Sequence, residues 1–340
     1  MRTNSQMIRH FISILALAAV VLVSPLARAA EPLRAGIIGT DTSHCIGFTE
    51  LINAADATGR RAEVQIVAAY PGGSDDIPSS RDRVAGYAEK LRGMDVEIVD
   101  SIDELLAKVD VVLLESLDGR VHLEQARPVF AAGKRVFIDK PLAGSLADAV
   151  AIAKLAEEHD VPWFSSSALR FGGPAKALAA NEVIGPITGC DAFGPCSTEP
   201  HHPDLFWYGV HGVEVLFTLM GPGCESVSRV HTEGADVVAG VWSDGRIGTF
   251  RGIRQGAADY GATLFGANGI GTARGFTEGY GPLVDQMCEF FVTGQPPLEP
   301  EITLEMFAFM EAADESKRRG GQPVSIATTL EAAGAKTLAP

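Results

Sequence analysis

Six short apolar runs alternate with helix-patterned segments through the first half of the chain, and this alternation constrains the fold more than any other feature of the sequence. The runs are Leu33 to Ile38, Val64 to Tyr70, Val96 to Val99, Val109 to Leu114, Val136 to Asp139 and Val161 to Ser165. Between them, Ile46 to Ala55, Arg81 to Arg92, Val121 to Ala132 and Leu146 to His159 carry apolar residues at three- and four-residue spacing. Gly133 stands where a helix C-cap belongs. Strand, helix, strand repeated in this way predicts a doubly wound parallel sheet with right-handed crossovers.

From about Ala168 the texture changes to glycine-rich segments and short alternating strands at Ile187 to Phe193, Ser226 to His231, Val237 to Trp242, Ile247 to Ile253, Ala262 to Gly266 and Gly271 to Gly275. These predict a mainly antiparallel sheet. Helices at Val210 to Met220, Leu283 to Thr293 and Thr303 to Arg318 are expected to cover one of its faces. The fold class is therefore α/β, an N-terminal Rossmann-type parallel sheet over 30–166 followed by a C-terminal α+β domain over 167–328, with 329–340 as a small-residue tail of little order.

Residues 1–29 read as a secretory leader: Arg2, Arg9 and His10 precede the apolar run Phe11 to Val23, and Ala27-Arg28-Ala29 offers small residues for cleavage. That run is shorter than the roughly 18 apolar residues a spanning helix needs, so export to the periplasm or beyond, with no stable membrane anchor, is the expectation. A formal charge of -15 with no basic stripe repels phosphate backbones and excludes nucleic acid as a natural partner. The five cysteines lack C-x-x-C spacing, so a thiolate zinc site is unsupported; Cys190 and Cys196 are either a bridge or buried thiols.

Chemistry concentrates at Arg135-Val136-Phe137-Ile138-Asp139-Lys140-Pro141. Proline cannot donate to a ladder, so the strand stops at Lys140 and delivers a carboxylate and an amine to the carboxyl edge of the sheet, where ligands of open parallel sheets bind. Lys140 is thereby a candidate acid or base, with Asp139 beside it. In the second half, His211 and Glu214 lie one helical turn apart, so the carboxylate is placed to orient the imidazole. Phe206, Trp207 and Tyr208 offer a stacking platform for a sugar ring, or interdomain core.

These segments resemble the family of glucose-fructose oxidoreductase and inositol dehydrogenase, Gfo/Idh/MocA. Asp139-Lys140-Pro141 looks like its Glu/Asp-Lys-Pro motif, whose lysine polarises a sugar or polyol hydroxyl. Tyr208-Gly209-Val210-His211-Gly212-Val213-Glu214 looks like the helix that carries its catalytic histidine. The resemblance implies a nicotinamide cofactor, NAD or NADP, along Gly36, Gly39, Thr40, Asp41, Ser43, His44, Glu115 and His122. It also implies substrate contacts from Arg170, His201, His202, Trp207, Tyr208 and Glu214, and a homo-oligomer. The expected activity is oxidation or reduction of a sugar, polyol or glycoside.

The chain departs from that pattern at the nucleotide loop. In place of G-x-G-x-x-G it reads Gly39-Thr40-Asp41-Thr42-Ser43-His44, which sets a carboxylate where diphosphate would lie and repels it by roughly 1 to 4 kcal/mol. Trp207 stands where many relatives carry a catalytic Asp. The first and fourth strands are adjacent in the expected order, so Asp41, His44 and Glu115 should share one crevice. There they form an alternative divalent-metal site for zinc, manganese or iron; Asp41 reads equally well as a helix N-cap. The alternatives to a nicotinamide oxidoreductase are thus a metal-dependent lyase, isomerase or hydrolase, and a non-catalytic sugar-binding protein.

Overall fold

A computed structural model describes residues 31–276 and 279–335; the leader at 1–29 and the end of the expected tail lie outside the described residues. The first sheet contains β1 (Leu33–Ile38), β2 (Val64–Tyr70), β3 (Glu97–Ile98), β4 (Val111–Leu114), β5 (Arg135–Ile138) and β6 (Trp163–Phe164). It runs in the order β3-β2-β1-β4-β5-β6 with every pair parallel. The order reverses between β1 and β4, which makes their carboxyl ends the crevice of the sheet.

Alternation of side chains along the strands divides the apolar residues between two faces. Ile38, Leu114 and Ile138 point to one, packed by α4 (Ile102–Lys108), α5 (His122–Ala131) and α6 (Leu146–His159). Ile37, Leu113 and Phe137 point to the other, covered by α1 (His44–Ile52) and α3 (Val84–Arg92), the latter following the short α2 (Pro78–Arg81). The seven-residue α4 escaped the periodicity reading. Its start is fixed by Ser101, whose hydroxyl accepts from the Glu104 N–H, the arrangement that satisfies an orphan donor at a helix start.

The second sheet has seven strands: β7 (Ile187–Pro195), β8 (Cys224–His231), β9 (Ala235–Trp242), β10 (Ile247–Ile253), β11 (Gly261–Gly266), β12 (Ile270–Arg274) and β13 (Val324–Ser325), ordered β12-β11-β7-β10-β9-β8-β13. All pairs are antiparallel except β7 with β10. The remaining helices are α7 (Gly173–Ala179), α8 (Val210–Met220), α9 (Gly281–Thr293), α10 (Pro300–Arg318) and α11 (Ile326–Ala332). α8 lies tight on the sheet at Gly212, where an added Cβ would stand 2.0 Å from the Phe250 ring. The opposite face leaves Val230, Val241, Ile247 and Ile270 exposed.

Two expectations are corrected. α9 was assigned to the second sheet, yet Leu283, Val284, Met287, Phe290 and Phe291 pack with Phe48, Phe137 and Phe164 on the first. Its helical pattern announces an apolar face and says nothing of which sheet receives it. The tail beginning at 329 is also ordered in part, because α11 continues to Ala332 and buries Leu330. All five cysteines are buried free thiols, so Cys190 and Cys196 form no bridge. Among the described residues no helix is long and apolar enough to cross a membrane.

A buried ion network closes the second lobe. The fully buried Arg229 guanidinium bonds Asp236 at 2.9 Å and Asp204 at 3.1 Å and also pairs with Asp314; Arg254 pairs with Asp236 from the other side. Burial pushes the Asp236 carboxyl up, but the hydrogen bonds from Arg229 and Arg254 outweigh it and hold the group at about 2. The unfolded value is about 3.9, so the stabilisation is complete above that pH and is lost as pH falls toward 2. Urea titrations should show a loss of about 2 to 3 kcal/mol between those limits. An Asp236→Asn variant should start less stable at pH 7 and lose less across the same interval.

Candidate active site

Parallel pairing sets the first half of the site. The Glu115 N–H donates to the Ile38 carbonyl at 2.7 Å and the Asp139 N–H to the Leu114 carbonyl at 2.8 Å, so each residue continues its strand by one ladder step. Glu115 and Asp139 consequently stand side by side just past the carboxyl ends of β4 and β5. His44, first residue of α1, reaches them from the turn after β1, its Nδ1 2.6 Å from Asp139 Oδ2. Both residues at the strand ends are buried, with Glu115 fully inaccessible. Among the described residues no donor reaches Glu115 Oε1 or Oε2, nor Asp139 Oδ1.

These carboxyls are driven apart electrostatically. Burial lifts Glu115 well above the ordinary carboxylate range, and the Asp139 charge adds to the lift. Asp139 is also buried, but the charges of His44 and Lys140 and the His44 hydrogen bond carry it below its ordinary value. Lys140 follows, 8% exposed, across a cis peptide bond to Pro141.

The second lobe contributes His211. A π-helical turn at Leu205–Gly209 leads into α8, and His211 sits in the first turn of that helix. Its Nδ1 is 2.8 Å from the Ser167 Oγ, and the rings of Tyr208 and Tyr260 stand 5.1 and 6.0 Å away. Burial pushes the His211 imidazole well below its ordinary value, and the positive charges of Lys140 and His44 push the same way. Lys140, His44 and His211 thus act on one another where the lobes meet.

Glu214 does not orient His211. It accepts from Arg170 Nε and from Ser166 Oγ, the latter at 2.9 Å, which commits Arg170 to the protein; Ser167 positions the imidazole instead. His122 is a buried tie, its ring nitrogens 2.7 Å from the Ser116 carbonyl and 3.1 Å from that of Leu142. His201 is exposed and bonds Glu199 at 2.9 Å. His202 is buried against the Trp207 ring, and burial lowers its pKa to about 4. Phe206 is core, packed edge-on to Phe307. Tyr208, 38% exposed, is the most open member of the aromatic trio, and Trp207 is half-buried.

Three neighbours escaped sequence reading. Ser167 follows β6 at the same edge of the sheet as Lys140, so strand-end logic could have found it. Tyr280 packs edge-on at 4.8 Å to the His44 ring and bonds the Ser43 hydroxyl; Tyr260 bonds Tyr208. Both tyrosines arrive from distant loops with no local signature.

The turn after β1 is closed. Gly39 has φ +96°, and an added Cβ would stand 2.5 Å from the Ser116 nitrogen. Its N–H donates to the Tyr70 carbonyl at 3.0 Å, while the Thr40 N–H donates to the Gly72 carbonyl and the Thr40 hydroxyl to the Val84 carbonyl, both at 3.1 Å. Asp41 is buried and accepts from Ser80 Oγ at 2.6 Å and from the Leu117 N–H at 3.0 Å; it caps no helix and does not face the Glu115 and Asp139 carboxylates as a ligand. Gly36 serves packing, its Cα hydrogen facing Leu105 and Val109. Two N–H groups of this turn, those of Gly39 and Thr40, are therefore taken by the Tyr70 and Gly72 carbonyls, which leaves the turn fewer donors for a diphosphate.

Residues 33–166 match the model of an oxidoreductase family with an NAD-binding Rossmann fold, Gfo/Idh/MocA. The whole fold is similar to GenD2 from gentamicin A biosynthesis, solved in complex with NAD, at 20% identity and TM-score 0.69 over 89% of this chain and 99% of that one. It is also similar to a probable dehydrogenase from Thermotoga maritima, 19% identical with TM-score 0.72 over 87% of this chain and 100% of that one. Scyllo-inositol dehydrogenase from Lactobacillus casei, solved with NAD(H) and scyllo-inositol, is 15% identical with TM-score 0.70 over 87% and 100% of the two chains. No curated protein matches the chain in sequence.

If Asp41 is a structural tie, Asp41→Ala strands the Leu117 N–H and the Ser80 hydroxyl in a buried site. The variant should lose about 2 to 4 kcal/mol in urea unfolding, one to two per stranded group.

Proposed function

We propose that this chain, whose residues 33–166 match the model of the Gfo/Idh/MocA oxidoreductase family with its NAD-binding Rossmann fold, is an enzyme acting on a hydroxyl of a sugar, polyol or glycoside where its two lobes meet. The observation that carries the reading is the convergence of Lys140 and His211 on that junction. The Lys140 ammonium donates to the substrate oxygen and stabilises it as its proton leaves. His211, kept neutral by burial and by the Lys140 and His44 charges, accepts that proton. Ser167 occupies Nδ1, which leaves Nε2 for the substrate. Tyr208 offers a ring face to the sugar.

The hydride acceptor of this reading is NAD or NADP, in keeping with the family and with the NAD-bound neighbours. The closed turn favours a second reading, in which the same proton chemistry serves a nicotinamide-independent lyase, isomerase or hydrolase. A poised amine beside an imidazole argues against a mere sugar-binding protein. The leader at 1–29 supports export to the periplasm or beyond without a lasting anchor, and the open apolar strip of the second sheet supports a homo-oligomer built on that face.

Nucleotide content of the purified protein, together with protection from heat by NAD or NADP, separates the first two readings. Lys140→Ala should lower turnover on the accepted sugar by about 10²- to 10⁴-fold in protein that is still folded at the assay temperature. A variant that keeps full turnover ends the proposal. The acid limb of kcat/KM should fall well below pH 6.5, because His211 stays neutral there, and should vanish in His211→Asn.

A further inference from the structure

The geometry points to a resident divalent cation held by His44, Glu115 and Asp139, in place of the trio with Asp41 that the sequence suggested. Glu115 carries the argument. Its carboxyl group is fully buried, and among the described residues neither oxygen has a donor. Charged or neutral, such a group loses its hydrogen bonds to water and regains none, a cost that native interiors rarely leave standing. Asp139 Oδ1 is stranded in the same way. The His44 contact explains Asp139 Oδ2 alone, and Lys140, whose charge acts on both carboxyls, makes no ion pair with either among the described residues.

The three side chains each offer one ligand atom, all within 4.8 Å of one another. A cation bound at about 2.0 to 2.2 Å spaces its ligands by about 3 to 4 Å, so small side-chain rotations close the set. One nitrogen and two carboxylate oxygens suit manganese, iron or zinc in the divalent state, since calcium takes oxygen alone and monovalent copper prefers sulfur. Three protein ligands leave coordination positions for a substrate oxygen. The Lys140 charge acts on both carboxyls, and the charges of Lys140, His44 and Asp139 reach His211, so a sugar hydroxyl or carbonyl entering between the lobes would meet the ion close to the proton-handling pair. The inference rests on ligand geometry and holds whether or not a nicotinamide nucleotide binds.

Purification of the mature chain without chelator, followed by elemental analysis, tests it. About one equivalent of manganese, iron or zinc is expected, removed by EDTA and restored by titration with the same ion alone, with a rise in the unfolding midpoint. Glu115→Gln should weaken that binding by about 100-fold or more, since even the groups that support metal ligands are worth 10- to 100-fold. Asp41→Asn, which keeps the Leu117 bond, should bind like the unmodified chain. Should Glu115→Gln not fold, His44→Asn, at a half-buried site, replaces it with the same expectation. A metal-free protein whose midpoint does not move with any of the three ions overturns the proposal, as does equal binding by the ligand variants. Heat protection by NAD is read separately on the EDTA-treated protein, so failure of the metal site and failure of the nicotinamide reading give different results.

Discussion

Two carboxyl groups at the ends of neighbouring parallel strands are the constraint around which the rest of the site is arranged. The ladder between β1, β4 and β5 leaves no freedom in where Glu115 and Asp139 emerge, because their own N–H groups are its last rungs. Like charges so placed and so buried need compensation. His44 and Lys140 supply part of it from either side, and their positive charge adds to the burial that keeps His211 neutral.

The turn after β1 shows the same economy in reverse. A Rossmann turn ordinarily leaves its N–H groups free for phosphate oxygens, and glycine permits the approach. Here Thr40 and Asp41 bind the segment after β2 through both backbone and side chain. The first glycine survives for a reason unconnected with nucleotide, since the Ser116 backbone crosses where a side chain would be. His44, at the position of the third glycine, turns toward Asp139 and makes the helix start part of the reactive junction.

Much of this was legible beforehand, and the physical reasons are uneven. α6 spans Leu146–His159 as its periodicity says, with Ser145 accepting from the Asp148 N–H to fix the start. The placement of Lys140, Asp139, Glu115 and His44 follows from strand ends at a switch point, a rule that needs only strand order. What failed needed tertiary knowledge. Asp41 has the right charge in the right turn, yet Ser80 and the Leu117 N–H claim both its oxygens. Glu214 shares a helix face with His211, but the nearer competitor is Arg170. Asp139 was placed beside Lys140 in the candidate catalytic set, and its role beside Glu115 emerges only once the two strand ends are seen to leave carboxylate oxygens unclaimed among the described residues.

The packing of α9 bears on how such a chain can be dissected. After building six of the seven strands of the second sheet, the chain crosses back and lays Leu283, Met287, Phe290 and Phe291 over the aromatic wall formed by Phe48, Phe137 and Phe164. The nucleotide-type lobe is thus wrapped by a helix encoded more than a hundred residues downstream of its last strand. It is not a module that evolution or a protein engineer could lift out at residue 166 and graft elsewhere, since excision there would bare an oily flank that only the far end of the polypeptide knows how to cover.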